Sequence, residues 1–401
     1  MRTTMKIRKY GIAFLLILLA TNVSAQVSFE RILNAEDEPE NWLTYNGSYK
    51  SQRYSKLDQI TPENVSDLKL QWTLQNQVFG AWQSNPIVAD GIMYITERPN
   101  SVMAVDAITG RVFWKYRHVP ADNSLVCCGA NNRGVAILAD KIFMGTLDAR
   151  LVALDRITGS PVWDVEVGDV DQAYSVTMAP LVVKDKVIVG VGGGEFGIRG
   201  YVAAYDADTG EEAWKTYTIP GPGEPNHDSW EGDDWEHGGA PVWITGSFDP
   251  ELNLTYWGVG NPGPDWNAGQ RPGDNLYSDS VIALDADSGE LKWYFQFTPN
   301  DAYDYDSVQV PVLADIVWRG TPSKVMMWAN RNGYFYVLDR VTGRFLEGKP
   351  YVTVNWSSGL DANGRPIPTP QPEGMPTFPG NQGGTNWYPP SFSPRTGLFY
   401  F

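Results

Sequence analysis

One short line of residues recurs five times along the 401-residue chain, and a chain assembled from such copies has few ways to fold. It reads Ala104-Val-Asp106-Ala-Ile-Thr109-Gly110 and reaches Trp114. It returns as Ala153-Leu-Asp155, Thr158-Gly159, Trp163, as Ala204-Tyr-Asp206, Thr209-Gly210, Trp214, and as Ala283-Leu-Asp285, Ser288-Gly289, Trp293. A fifth copy, Val337-Leu-Asp339, Thr342-Gly343, carries Glu347 where Trp is expected. An apolar strand ends at Asp. The Asp-x-x-Thr-Gly segment then makes a tight turn, with Gly supplying a positive φ and the Asp and Thr side chains bonding turn backbone. The next strand carries Trp four residues after Gly, and that Trp can dock on the following repeat. Each line follows another strand pair, such as Pro86-Ile-Val, Asp90-Gly91, Ile92-Met-Tyr. A unit therefore holds about four short strands, which is one propeller blade. Copies start 49, 51, 79 and 54 residues apart, so the stretch between Trp214 and Ala283 must hold an insertion.

The composition suits this reading. Hydrophobic residues make up 42% and charged ones 19%, enough to bury a core, and 16 Trp, 20 Tyr and 40 Gly favour strands joined by tight turns. The first 25 residues read as an export signal. Arg2, Lys6, Arg8 and Lys9 precede an apolar run from Gly11 to Ala20, too short to span a bilayer, and Val23-Ser24-Ala25 offers a cleavage site. Residues 26–401 then form one propeller domain. Losing four basic residues takes the net charge from −16 to −20, which argues against nucleic acid and anionic membrane partners. No later stretch is apolar enough to cross a membrane. The two cysteines, Cys127 and Cys128, are adjacent. They exclude a c-type haem motif and leave open either a strained vicinal disulfide or two buried thiols.

Polar chemistry concentrates in four segments outside the strands. These are Gly192-Gly-Gly-Glu195-Phe-Gly197-Ile-Arg199-Gly200, Gly258-Val-Gly260-Asn261-Pro262, Asp301-Ala-Tyr-Asp304-Tyr-Asp306, and Asn330-Arg331-Asn332-Gly333. Glu, Asn and Asp are hard oxygen donors that suit calcium or another hard cation. Zinc is disfavoured, because only His118, His227 and His237 exist, without ligand spacing. On an extended segment Asp304 and Asp306 point to one side together, so that one can bind metal while the other acts as a base. No Gly-x-Ser-x-Gly elbow, Walker loop or dinucleotide fingerprint occurs.

Tyr45-Asn-Gly47, Tyr54-Ser55, Cys127-Cys128, Asn132-Arg133-Gly134, Gly194 to Gly200, Gly260-Asn261-Pro262, Thr298 to Asp306 and Asn386-Trp387-Tyr-Pro-Pro390 occur in order. In this the chain resembles the large subunit of the quinoprotein methanol and ethanol dehydrogenases. The resemblance implies an all-β, eight-bladed propeller with pyrroloquinoline quinone (PQQ) at its axis. It implies a Cys127-Cys128 disulfide on one face of the quinone and Trp243 on the other. Arg133, Thr177, Arg331 and Asn386 match residues that bond the quinone's oxygens, and Gln83 stands where the family often has Glu. Glu195, Asn261 and Asp304 match metal ligands, and Asp304 also matches the catalytic base. Asp306 resembles the extra acid of the lanthanide-using branch, so the ion expected is calcium or a lanthanide, the latter modestly favoured. Gly192 departs from a Ser often found there.

The function implied is periplasmic oxidation of a small primary alcohol to an aldehyde, with electrons passing to a cytochrome c; a homodimer is open. Members of the family run well beyond Phe401, so the last blades are expected to be missing here. The rival reading is a non-catalytic propeller scaffold of the outer-membrane assembly type, which shares the Trp-docking repeat but has no need of Glu195, Asn261, Asp304 or the cysteine pair.

Overall fold

The structure is a computed structural model that describes residues 26–401; the export signal expected over residues 1–25 lies outside the described residues. It holds five four-stranded antiparallel sheets in simple sequential order. Ile87–Ala89, Ile92–Glu97, Ser101–Asp106 and Val112–Arg117 form the first. Residues 136–166, 181–217, 247–296 and 312–350 form the others, and two strand pairs follow within 357–368 and 391–400. These sheets are the blades of a β-propeller. Among the described residues helix is confined to Phe29–Leu33 and short 3-10 turns, and none is long and apolar enough to cross a membrane.

The recurring line produces the same local structure each time. In the first copy one oxygen of Asp106 accepts from the N–H groups of Ile108 and Thr109 at 2.9 and 3.0 Å, and Gly110 N–H donates to the Asp106 carbonyl at 2.8 Å. The equivalent bonds form at Asp155, Asp206, Asp285 and Asp339. In every sheet a bulge lies two residues before that Asp, as between Ala104 and Val105, and sets Ala104 opposite Trp114.

Each indole then lies against the turn of the next repeat. A Cβ built on Gly159 would come within 2.5 Å of the Trp114 ring, and Trp114 Nε1–H donates to the Arg156 carbonyl at 3.1 Å. Trp163 docks likewise on Gly210, Trp214 on Gly289 and Trp293 on Gly343. Trp72, outside any strand, docks on Gly110 and donates to Ala107 at 3.2 Å, a member of the series that the repeat alone does not reveal. Ion pairs join neighbouring sheets as well. Arg156 reaches Asp90 at 3.2 Å, and Arg340 reaches Asp249 at 2.7 Å with both side chains 3% exposed.

A sequential meander has two unlike ends. The Asp turns and the indole contacts occupy one. The chain entering each first strand and the loop between second and third strands share the other, where no repeat constrains the sequence. The expected insertion is divided between two strand-free stretches, 218–246 and 259–279.

Gly159 and Gly91 both have φ above +70°, but nothing lies within 4 Å of a Cβ at Gly91. Gly91→Ala should cost about 1–2 kcal/mol from backbone strain alone. Gly159→Ala should cost that plus about 1–3 kcal/mol for displacing Trp114. Denaturant midpoints of the two variants measure the difference, and equal values would remove the docking argument.

Candidate functional site

The loops at the unrepeated end converge on a cavity of about 410 Å³. Gln83, Cys127, Cys128, Arg133, Thr177, Glu195, Trp243, Asp304, Asp306, Arg331 and Asn386 all line it. Of the residues matched to quinone or metal contacts, Asn261 alone stands behind this lining. It remains in contact with the site, since its N–H donates to Asp306 at 2.9 Å and its Nδ2 to Asp265 at 2.6 Å. A Cβ on Gly194 would lie 3.2 Å from Asn261 Oδ1, which brings that oxygen beside the Glu195 turn.

Cys127 and Cys128 form a vicinal disulfide, which settles the choice that the sequence left open. Both sulfurs and a Glu195 oxygen lie within 4.8 Å of one another, but oxidised sulfur is no thiolate ligand. The Arg133 guanidinium lies over two indoles, 4.8 Å from the ring centre of Trp243 and 4.9 Å from that of Trp387, and donates to Thr177 Oγ1 at 2.8 Å. Burial pulls its pKa down to about 10. Trp243 is therefore a cavity residue and not one of the blade-docking tryptophans.

The acidic segment is ordered by its first residue. Asp301 accepts from the N–H groups of Tyr303 and Tyr305 at 2.9 and 2.7 Å, and the fully buried Arg271 donates to the Asp301 carbonyl. The segment is not extended at Asp304, whose φ of 60° is left-handed because Asp301 closes a turn around it. Both acids still reach one partner. Arg331 Nη1 meets Asp306 at 2.6 Å and Nη2 meets Asp304 at 3.2 Å. Asp306 also accepts from Trp243 Nε1 at 3.3 Å, so both of its oxygens are engaged.

The guanidiniums of Arg133, Arg271 and Arg331 are too few for the acids gathered here, which are Glu195, Asp265, Asp279, Asp301, Asp304 and Asp306. Burial, with Asp306 adding to it, pushes Asp304 up to about 8 against the pull of Arg331. Burial together with Asp306 and Asp265 brings Glu195 to about 7. Asp265 is raised by the same causes. Behind them Asp279 is fully buried with neither oxygen hydrogen-bonded, and burial holds its carboxyl far above the ordinary range.

Asp265, Trp266, Asn131, Ser175, Gln382 and Trp387 also line the cavity, and sequence reasoning assigns none of them a role. Asn386-Trp387 stood in a quoted motif, and Asp265 follows a loop-like Gly-Pro pair; nothing local marked the rest. A more open cleft of about 670 Å³ lies between the third and fourth sheets, lined by Tyr217, Tyr277 and Tyr294. Lys215 and Lys292 in it pair with nearby glutamates, so no unbalanced charge gathers there.

The cavity's polar inventory suits a polyanionic quinone and a hard cation. Buried atoms without partners include Arg133 Nε and Arg331 Nε, which are donors, and Gln83 Oε1 and Asn261 Oδ1, which are acceptors. Such groups cost free energy until something pairs them.

An acid whose folded pKa is raised lends stability below its ordinary range and loses it as pH rises through the folded value. For Asp304 and Glu195 that window runs from the ordinary carboxylate range to about pH 7–8. Protein without metal or quinone should thus melt lower at pH 8.5 than at pH 6, and Asp304→Asn should flatten the slope. An unchanged slope in the variant would show that Asp304 is not held protonated.

Comparison with known proteins agrees with this geometry. Residues 42–355 match the PQQ family described as glucose/ethanol/alcohol dehydrogenase, beta-propeller domain. The chain is 41% identical over 99% of its length to the quinohemoprotein alcohol dehydrogenase ADH-IIG of Pseudomonas putida, and spans 59% of that protein. It is 39% identical over 98% of its length to the lanthanide-dependent methanol dehydrogenase of Methylacidiphilum fumariolicum, of which it spans 70%. A europium-containing methanol dehydrogenase superposes with a TM-score of 0.88 at 38% identity, covering 93% of this chain and 70% of its own. The chain belongs to the PQQ-dependent alcohol dehydrogenase family of β-propellers.

Proposed function

We propose that the cavity holds PQQ beside one calcium or lanthanide ion, and that the protein oxidises a small primary alcohol to an aldehyde. The observation that carries this reading is the excess of buried carboxyl groups over cations in a cavity that also presents unpaired donors. When bound, the quinone would accept two electrons and the cation would act as a Lewis acid. Cys127-Cys128 and Trp243 provide flat surfaces for a planar ring. Arg133, Thr177, Arg331, Asn386 and Gln83 provide its polar edge. Glu195, Asn261, Asp304 and Asp306 would hold the ion. The second acid, Asp306, adds charge that a trivalent ion compensates best, which favours a lanthanide.

Asp304 is the base in this proposal and takes the alcohol's hydroxyl proton at its carboxylate. Arg331 orients that carboxylate and keeps charge opposite Asp306. The indoles of Trp243 and Trp387 keep water from the reacting centre. The protein would be exported through residues 1–25 to the periplasm and would hand electrons to a cytochrome c. A scaffold gains nothing from buried, mutually repelling acids, which weighs against that rival.

Reconstitution with PQQ and either Ca²⁺ or La³⁺ should give one quinone and one metal per chain and alcohol-dependent dye reduction. Absence of both uptake and reduction defeats the proposal. Asp304→Asn should bind PQQ yet lose turnover by about 10²–10⁴-fold. Because Glu195 and Asp304 hold protons near neutrality, loading metal should release them. Affinity should therefore rise from pH 6 to 8 and flatten above. Calorimetry in buffers of different ionisation enthalpy counts the protons, and pH-independent affinity would remove these two acids from the ligand set.

A further inference from the structure

Asn131 follows the disulfide in Cys127-Cys128-Gly129-Ala130-Asn131 and lines the cavity at 4% exposure. Three bonds fix the chain here. Asn131 N–H donates to the Gly129 carbonyl at 2.8 Å, Arg98 Nε to the Ala130 carbonyl at 3.1 Å, and Asn131 Nδ2 to the Cys128 carbonyl at 2.9 Å. The last bond also fixes which way the amide faces, because only its nitrogen can donate. Its oxygen is thereby committed as an acceptor, and Asn131 Oδ1 is buried with no partner. A strap on Cys128 needs the nitrogen alone. The unpaired oxygen needs another explanation, since a buried acceptor is costly until a donor reaches it.

We propose that Asn131 is a recognition residue for the bound quinone, with Oδ1 accepting a hydrogen bond from one of the quinone's few donors; this rests on the reading that the cavity holds PQQ. PQQ is rich in acceptors, namely carboxylates, quinone oxygens and a pyridine nitrogen, and arginines serve those. Its donors are the pyrrole N–H, present in both redox states, and the hydroxyls that exist only after reduction. An amide oxygen that cannot exchange places with its nitrogen selects for these donors.

The test is the dissociation constant of PQQ for the metal-loaded protein, read by tryptophan fluorescence without turnover. It is measured anaerobically for the oxidised and the pre-reduced cofactor. Asn131→Val removes the acceptor at similar size, and Asn131→Ser restores an oxygen. The valine variant should bind about tenfold more weakly, with partial recovery in the serine variant and no free thiol in either. Weakening of both redox forms identifies the pyrrole N–H as partner. Weakening confined to the reduced form identifies a quinol hydroxyl. Binding of both forms within twofold of native overturns the inference. So does weakening that appears only together with an opened disulfide, since a strap would explain it. Failure of the native protein to take up PQQ is a different result and defeats the underlying reading itself.

Discussion

Contact between an indole and a bare glycine turn sets the spacing of the whole structure. At Gly110, Gly159, Gly289 and Gly343 the ring lies where a Cβ would come within 2.5 Å, so the space that a side chain would fill is filled by the preceding repeat. The turn needs glycine twice over, once for its φ above +70° and once for this approach. Because the Asp of the same turn fixes the loop and the bulge fixes the facing of Trp, three residues specify how one sheet meets the next. The rest of each blade is free to be an ordinary antiparallel meander.

That economy leaves the opposite end of the sheets unconstrained, and the cavity is built there. Its central constraint is electrostatic. Arg331 is shared by Asp304 and Asp306, while Asp265, Asp279 and Glu195 stand close enough to be raised as well. Buried like charges are held together only where a cation, a proton or a ligand answers them. The site therefore carries its own requirement for positive charge, and this follows from the protein groups alone.

The repeat was legible because everything it specifies is local: a turn, a bulge and an aromatic at fixed offsets. The same reasoning missed Trp72, which docks in series with the others but follows no Asp-x-x-Thr-Gly line. The site was legible only where a segment was dense in acids or glycines. Asp265 lies four residues past Asn261 and becomes part of the site through one hydrogen bond to it. Asn131 is one polar residue in a loop, and its meaning depends on which end of its amide is occupied. The state of the cysteine pair was beyond pattern reasoning as well, because adjacency allows both outcomes.

The segment 301–306 joins these two levels. Its tyrosines and acids alternate to opposite sides despite the left-handed residue at Asp304. Tyr303 and Tyr305 pack on Trp356 with ring centres 5.6 and 5.5 Å apart, and the Tyr305 hydroxyl donates to the Pro379 carbonyl at 2.6 Å. Trp356 is itself fixed by a bond to the Asn332 carbonyl at 2.9 Å, one residue from Arg331. Burial of these rings is favourable by about 25 cal/mol per Å², and it offsets the cost of holding Asp304 and Asp306 on the other side. The aromatic face thus anchors the acids, and it ties them to the same turn that presents the guanidinium. Repelling carboxyl groups kept in place by packing on their back side form a site whose geometry is set before any ligand arrives.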